Sequence, residues 1–148
     1  MRPRQTTPTA WMIVTDDAGL SAAPRLPPGT GVLLLDPVAP ALARLARQLA
    51  ARRGLVLVEE GPRTARRVHN ARELREAMLQ RTPLIFLSPL HTTSTHPDWT
   101  PIPRMRAAAL ARLGGRRLLA LGGMNRKRYA ALGALGFSGW AGISAFRT

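Results

Sequence analysis

Short apolar runs recur along the chain and predict the strands of a sheet. Each run holds four to six residues, and polar or turn-forming residues such as Asp16 and Gly54 separate the runs. Continuous apolar runs, without alternation, are typical of strands that are covered on both faces. We therefore predict six strands, at residues 11–15, 31–35, 55–58, 84–88, 118–121 and 139–144.

Stretches with helical spacing lie between these runs. Leu42 and Leu45 fall on one face of a helix predicted over residues 38–53. Asn70 and Glu73 have the spacing of a capping box, which marks the start of a helix. The remaining helices are predicted at residues 63–68 (a short one), 70–79, 105–113 and 126–135.

The alternation of strands and helices sets the fold class. Strand–helix–strand units with buried strands imply a parallel sheet with right-handed crossovers, so we predict an α/β fold with about six parallel strands. A closed eight-stranded barrel needs about 200 residues or more, and this chain has 148. We expect a single domain over residues 1–148, with a disordered tail at residues 1–10.

The chain is strongly basic, with 22 Lys and Arg, 8 Asp and Glu, a net charge of +14 and a pI near 12.0. Such a charge suits nucleic acids or small anionic ligands. The arginines are dispersed, however, and Arg, Ala, Gly, Leu and Pro are abundant together, as a biased genomic base composition would produce. No nucleic-acid-binding motif or aromatic platform accompanies them. We therefore expect phosphorylated small molecules as ligands and do not expect a specific nucleic-acid partner.

Other features of the composition concern the compartment. The chain has no cysteine, which excludes disulfides and thiolate metal sites and makes the cytoplasm the expected location. Its longest apolar runs have about five residues, far short of a membrane span, so we expect no membrane partner. The N-terminus is basic but lacks the apolar core of a signal peptide.

Two strand ends near the C-terminus carry candidate chemistry. Gly122-Gly123 follows one predicted strand, and Asn125 can cap the helix that comes next. The following strand ends on Ser144. Glycines let a backbone approach a ligand closely, and helix N-termini attract phosphate. The pattern indicates a phosphate site, although the glycine pair alone is also typical of a simple tight turn.

These segments, taken together, resemble the thiamine-phosphate synthase/TenI family. The sequence Leu-Ser-Pro-Leu-His-Thr-Thr-Ser-Thr-His-Pro at residues 87–97 resembles the loop after that family's sixth strand. Its seventh and eighth strand ends are similar to residues 120–124 and 139–145, and its first strand is similar to residues 12–16. His69, with Glu73 and Ala77, resembles the start of its fifth helix.

The resemblance implies a fold and an activity. The family forms a (β/α)8 barrel, so this shorter chain would be an incomplete or reduced TIM-type barrel. Synthase members are transferases of thiamine biosynthesis that join a pyrimidine-methyl pyrophosphate to a thiazole phosphate with the help of Mg²⁺. TenI members isomerise a thiazole phosphate by proton transfer. The implied ligands here are thiazole phosphate and pyrimidine pyrophosphate.

The resemblance also assigns site residues. The residues that match the family's thiazole-phosphate site are Gly122, Gly123, Ile143 and Ser144. Those that match or flank its pyrophosphate side are Ser88, Thr93, Thr95 and His96, of which His96 stands where synthases carry Lys. A hydroxyl-rich loop bonding its own backbone is the other interpretation of residues 93–95. His91 is expected to pack near a strand end, and Asp98 and Trp99 to anchor the loop.

The chain departs from the family pattern on the opposite side. After the second strand, synthases carry Gln and a basic residue, and Leu35 and Asp36 stand here. Glu60 replaces part of an Asn-Asp pair and is a candidate Mg²⁺ ligand, or else a solvated charge. At residues 66–69 the chain runs on directly where the family has its fourth strand, a second metal-binding Asp, a helix and its fifth strand, so we expect the region around the fourth and fifth strands to be missing. We therefore expect the synthase activity to be weak or lost.

Three functional hypotheses remain open from the sequence. The first is a thiamine-phosphate-synthase-like protein that binds a small phosphate. The second is a non-catalytic, phosphate-binding or dimerising remnant of that family, because open parallel edges favour a homo-oligomer. The third is a basic nucleic-acid-associated α/β protein, for which binding to random duplex DNA would depend steeply on salt.

Overall fold

The computed structural model describes residues 7–93 and 96–146. Its centre is one sheet of seven parallel strands, in the order β3-β2-β1-β7-β6-β5-β4, that curls into a nearly closed barrel. The strands are β1 (Ala10–Val14), β2 (Gly31–Leu34), β3 (Val56–Glu59), β4 (Ala65–Val68), β5 (Leu84–Leu87), β6 (Leu118–Leu121) and β7 (Trp140–Gly142).

Helices connect most of the strands and cover the outside of the sheet. In the described part of the chain they are α1 (Asp17–Leu20), α2 (Pro40–Arg53), α3 (Ala71–Leu79), α4 (Arg104–Gly114) and α5 (Arg126–Ala131). Single 3-10 turns lie at Ala23–Arg25, Gly115–Arg117, Gly133–Leu135 and Ser144–Phe146. The fold is therefore α/β and consistent with a reduced TIM-type barrel.

The six strands predicted from the apolar runs are all present and parallel. Ile85 pairs with Leu118 and Leu87 with Ala120, so β5 and β6 run in the same direction. The prediction of a parallel sheet is confirmed.

The short helix predicted at residues 63–68 is wrong, because this segment forms β4. Ala65 pairs with Leu84 and Val68 with Leu87, in parallel register with β5. Ala65 and Val68 are fully buried, one on each face of the sheet. Pairing with β5, the next strand along the chain, determines this conformation, and it overrides the local preference of the segment.

The ends of the described chain also differ from expectation. The disordered tail predicted at residues 1–10 is wrong for its last residues, since Ala10 begins β1 and the Thr9 carbonyl accepts a hydrogen bond from the Trp140 amide at 2.8 Å. Residues 1–6 lie outside the described part. At the other end β7 is shorter than the predicted strand, and a 3-10 turn begins at Ser144.

The core has three parts, which divide the molecule into two halves around a shared interior. In the first half, residues 10–59, α1 and α2 pack on the outer face of β1–β3. In the second half, residues 65–146, α3 and α4 pack on β4–β7. Trp11 and Phe86 fill the inside of the barrel, edge to face with ring centroids 5.8 Å apart. Because this interior is packed, a large cavity fits only at the ends of the strands.

The two end strands are consecutive in the chain. A five-residue turn, 60–64, joins β3 to β4 and is closed by paired backbone hydrogen bonds between Gly61 and Ala65. No helix lies in this connection, and Val56 on β3 is 39% exposed. The gap in the barrel therefore lies between β3 and β4.

Candidate functional site

A cavity of about 780 Å³ lies at the carboxyl ends of the strands. Ile13 and Leu121 contribute apolar surface from β1 and β6. The loop after β5 and the turns after β6 and β7 form most of its remaining wall. In parallel α/β sheets, this is the edge at which ligands bind.

The charge of the cavity wall has one sign. Its described ionisable side chains are those of Arg67, His69, His96 and Arg128, and none of its described lining residues is a carboxylate. Thr15, Ser88, Thr92 and Thr93 add hydroxyl groups. Guanidinium, imidazolium and hydroxyl groups are the donors with which proteins hold phosphate.

Gly122 and Gly123 form the turn between β6 and α5, with φ of +101° and +61°. A Cβ on Gly122 would lie 2.8 Å from Pro89 Cα, and one on Gly123 would lie 2.5 Å from the Thr92 carbonyl oxygen. The His91 amide donates to the Gly122 carbonyl at 3.1 Å. These glycines are therefore required by the close approach of the loop after β5, whether or not a ligand binds.

The same turn offers hydrogen-bond donors to the cavity. Within residues 7–93 and 96–146, the amides of Gly122 and Gly123 donate to no other protein group. Arg128 donates to the Gly123 carbonyl, which fixes its guanidinium over the turn. Asn125 caps α5 by accepting from the Arg128 amide at 2.8 Å, as expected, but α5 has only six residues and a correspondingly small dipole.

The structure brings most of the predicted phosphate and pyrophosphate residues to this one cavity. Those that line it are Ser88, Thr93, His96, Gly122, Gly123 and Ile143. Thr95 lies outside the described residues. Of Ser144 only the backbone is described, in the turn that directly follows Ile143. Their roles in binding stay predictions. The Thr93 hydroxyl accepts from the His96 amide at 2.9 Å, so it also shapes its own loop.

An aromatic cluster at the cavity was not predicted. His96 stacks on Trp99 with ring centroids 3.7 Å apart, and His69 meets the edge of Trp99 at 5.6 Å. Glu73 holds His69, with 3.2 Å between Nδ1 and Oε1. Trp99 does anchor its loop, as expected, but it also lines the cavity. This cluster could not be predicted from local pattern, because His69 follows β4 whereas His96 and Trp99 lie in the loop after β5.

His91 lies behind the glycine turn. Burial, and secondly the positive charge of Arg128, lower the pKa of its imidazole. It packs at the end of a strand, as the sequence predicted.

Glu60, the candidate Mg²⁺ ligand, does not line the large cavity. Its carboxylate accepts from Arg67 Nε at 2.6 Å and Nη2 at 3.1 Å, and from the Asp36 amide at 3.0 Å. With Asp36 it lines a small neighbouring cavity of about 180 Å³. In the part of the chain that is described, no three His, Asp or Glu side chains form a metal-binding group. A carboxylate already held by a guanidinium does not fit Mg²⁺, which needs several free oxygen ligands.

Comparison with known proteins gives no match, either to a protein-family model or to a curated protein. Among the described residues, no helix is both long and apolar enough to cross a membrane.

Proposed function

We propose that this chain is a thiamine-phosphate-synthase-like protein that binds thiazole phosphate, or a similar small phosphorylated molecule, in the large cavity. The observation that carries the proposal is the cavity wall, in which every described ionisable side chain is basic. The amides of Gly122 and Gly123, which have no acceptor among the described residues, would hold the phosphate oxygens together with the guanidinium of Arg128. The cytoplasmic location and the family membership expected from the sequence belong to this proposal.

The same wall argues for weak or absent condensation. The reaction forms a bond from the thiazole nitrogen to the pyrimidine methylene carbon and breaks the bond from that carbon to pyrophosphate. Fixed positive charge must therefore stabilise the departing pyrophosphate. His96, in the place of a family Lys, supplies that charge only when it is protonated. The carboxylate of Glu60 is paired with Arg67 and therefore supplies no free ligand for Mg²⁺ at the pyrophosphate.

A steady-state assay tests the catalytic part of this proposal. With both thiamine precursors and Mg²⁺ supplied, we expect turnover far below about 1 per second, an ordinary enzyme rate. Turnover near that rate would show that the chain is a competent synthase and would contradict the expected loss of activity.

Calorimetry with thiazole phosphate tests the binding part. Arg128→Met should weaken binding roughly 10-fold to 100-fold, since a hydrogen bond to a charged group contributes about 1.5–3 kcal/mol. Arg126→Met is the matched control, because Arg126 is exposed in the same helix and does not line the cavity. Gly123→Val would be a poorer test, since its Cβ would strike the Thr92 carbonyl regardless of any ligand. Equal affinities of wild type and Arg128→Met would contradict the site.

A second candidate function, a self-associating phosphate binder without catalysis, is favoured by the exposure of β3. Val56 is 39% exposed on an edge strand that no helix follows, and such edges pair with other strands. Sedimentation analysis would detect a dimer, and Val56→Lys should dissociate it. A sedimentation coefficient of a monomer at all concentrations excludes this candidate.

A further inference from the structure

Arg67 reaches the cavity because of its place in β4. Side chains alternate between the two faces of a strand, and Ala65, two residues earlier, lies in the packed interior of the barrel. Arg67 therefore takes the next inward position, at the carboxyl end of β4, and lines the large cavity. Arg66 takes the outer face, where its Nη1 donates to Gln80 Oε1 at 2.6 Å.

Glu60 holds the guanidinium of Arg67 by one edge. The contacts use Nε and Nη2, while the Glu60 carboxylate is itself fixed by the Asp36 amide. Within the described ranges, 7–93 and 96–146, Nη1 of Arg67 has no partner. The side chain of Arg67 is 38% exposed and that of Glu60 only 13%. The pair thus leaves an oriented, partly exposed donor edge, and a guanidinium held in this way loses little rotamer freedom when it binds an anion.

We infer that Arg67 is a second anion-binding residue of the cavity, so that the cavity takes a small molecule with two anionic groups, such as a bisphosphate. The first group would bind at the glycine turn, and in that respect this inference rests on the proposed function. Arg67 lies at the end of β4 and the glycine turn at the end of β6, with β5 between them. Two strand spacings correspond to roughly 10 Å, which sets the separation of the two groups.

Arg67 also has a structural role, since its ion pair joins the two end strands of the sheet. A purely structural Arg67 would affect stability and leave the choice of ligand unchanged. The test therefore has to compare ligands on the same folded protein. The matched control is Arg66→Met, which removes the same charge one residue earlier, on the opposite face of β4.

The experiment is calorimetric titration with inorganic phosphate and with a series of α,ω-alkanediol bisphosphates of increasing chain length. We expect wild type and Arg66→Met to bind one bisphosphate of intermediate length at least 10-fold more tightly than inorganic phosphate. In Arg67→Met that advantage should disappear. The affinity of this variant for the bisphosphate should fall about 10-fold or more, because one hydrogen bond from a charged group is lost. Its affinity for inorganic phosphate should change less than about 2-fold.

The outcomes separate this inference from the proposed function. If Arg67→Met keeps the bisphosphate preference of wild type, Arg67 does not bind the ligand, while phosphate binding at the glycine turn still stands. If wild type binds neither phosphate nor any bisphosphate, both proposals fail. Should Arg67→Met fail to fold by circular dichroism, Arg67→Lys decides, because it keeps the charge toward Glu60 but lacks a second donor edge. If Arg67→Lys prefers the bisphosphate over inorganic phosphate as strongly as wild type does, the inference is overturned.

Discussion

The two halves of the barrel meet the cavity in different ways. The second half supplies the long loop after β5, the glycine turn and all four basic side chains of the described cavity wall, which are Arg67, His69, His96 and Arg128. The first half supplies Ile13, Thr15 and Leu35. Glu60, in the turn that joins the two halves, forms an ion pair with Arg67 of the second half. All the positive charge of the wall thus comes from residues 65–146.

This difference shows how a shortened barrel can keep one side of a site. The second half keeps helices after β4, β5 and β6, so its strands are covered and its loops are supported. The first half ends in a tight turn, and the ion pair between Glu60 and Arg67 lies beside the gap in the barrel. Substitutions in the shared interior, in each half and at the boundary should therefore have different effects.

The largest effect is expected in the interior that both halves share. Trp11→Ala should lower the free energy of unfolding by about 3–5 kcal/mol, since it leaves a large cavity against Phe86. Val58→Ala, on the half-buried side near the gap, should lower it by only about 1 kcal/mol. Urea unfolding followed by circular dichroism measures both. Separate transitions for the two halves in wild type would contradict a shared interior.

A smaller effect is expected at the glycine turn. Gly122→Ala should destabilise by about 3 kcal/mol, because it combines backbone strain at φ +101° with contact against Pro89. Gly136→Ala is the control, since Gly136 has φ +98° but open space around its Cβ position, and about 1 kcal/mol is expected. Thermal unfolding compares the two. Equal losses would mean that the loop after β5 does not press on the turn.

The caps of α3 and α5 can be compared, since the loss of either should lower the free energy of unfolding by about 1 kcal/mol. Asn70→Ala and Asn125→Ala each remove a side-chain cap, of α3 and α5 respectively, and should cost about 1 kcal/mol of stability. Only Asn125 lines the cavity. Asn125→Ala alone should therefore also weaken phosphate binding. Calorimetry on both variants checks this, and a similar loss of affinity in Asn70→Ala would point to a general effect of stability.

The smallest effect concerns pH. Burial and Arg128 lower the pKa of His91 in the folded protein, so the unfolded chain binds the proton more tightly. The stability that His91 contributes is then complete above its ordinary pKa and declines as the pH falls toward the lowered one. His91→Asn should remove this part of the pH dependence. In an NMR titration, added phosphate should raise the pKa of His91, whereas no change would place the anion elsewhere.

Much of the fold could be predicted from the sequence because its signals are local. Six strands appear as apolar runs, and the caps at Asn70 and Asn125 depend only on residues three positions away. The strand β4 could not be predicted in this way, since Arg66 and Arg67 interrupt its apolar pattern and only its pairing with β5 makes it a strand.

In the candidate site, too, some residues could be predicted from local sequence and others depend on the fold. Its glycines and hydroxyl residues stand at predicted strand ends, and the structure brings six of the predicted residues to one cavity. Arg67 enters the site only because β4 is a strand, and Trp99 only because His69 and His96 converge on it. From the sequence alone, Glu60 could be either a metal ligand or a solvated charge, because its ion pair with Arg67 across the gap depends on the fold.

The pairing of β1 with β7 has a consequence for how the chain folds. Every other neighbouring pair in the sheet joins strands that follow each other in sequence, whereas Ala10 pairs with Trp140 across nearly the whole described chain. Local pairs form early, because the loops that they close are short, and the most distant pair forms last. We expect β1–β3 and β4–β7 to assemble first as two sheets, and their docking along β1 and β7 to limit the folding rate.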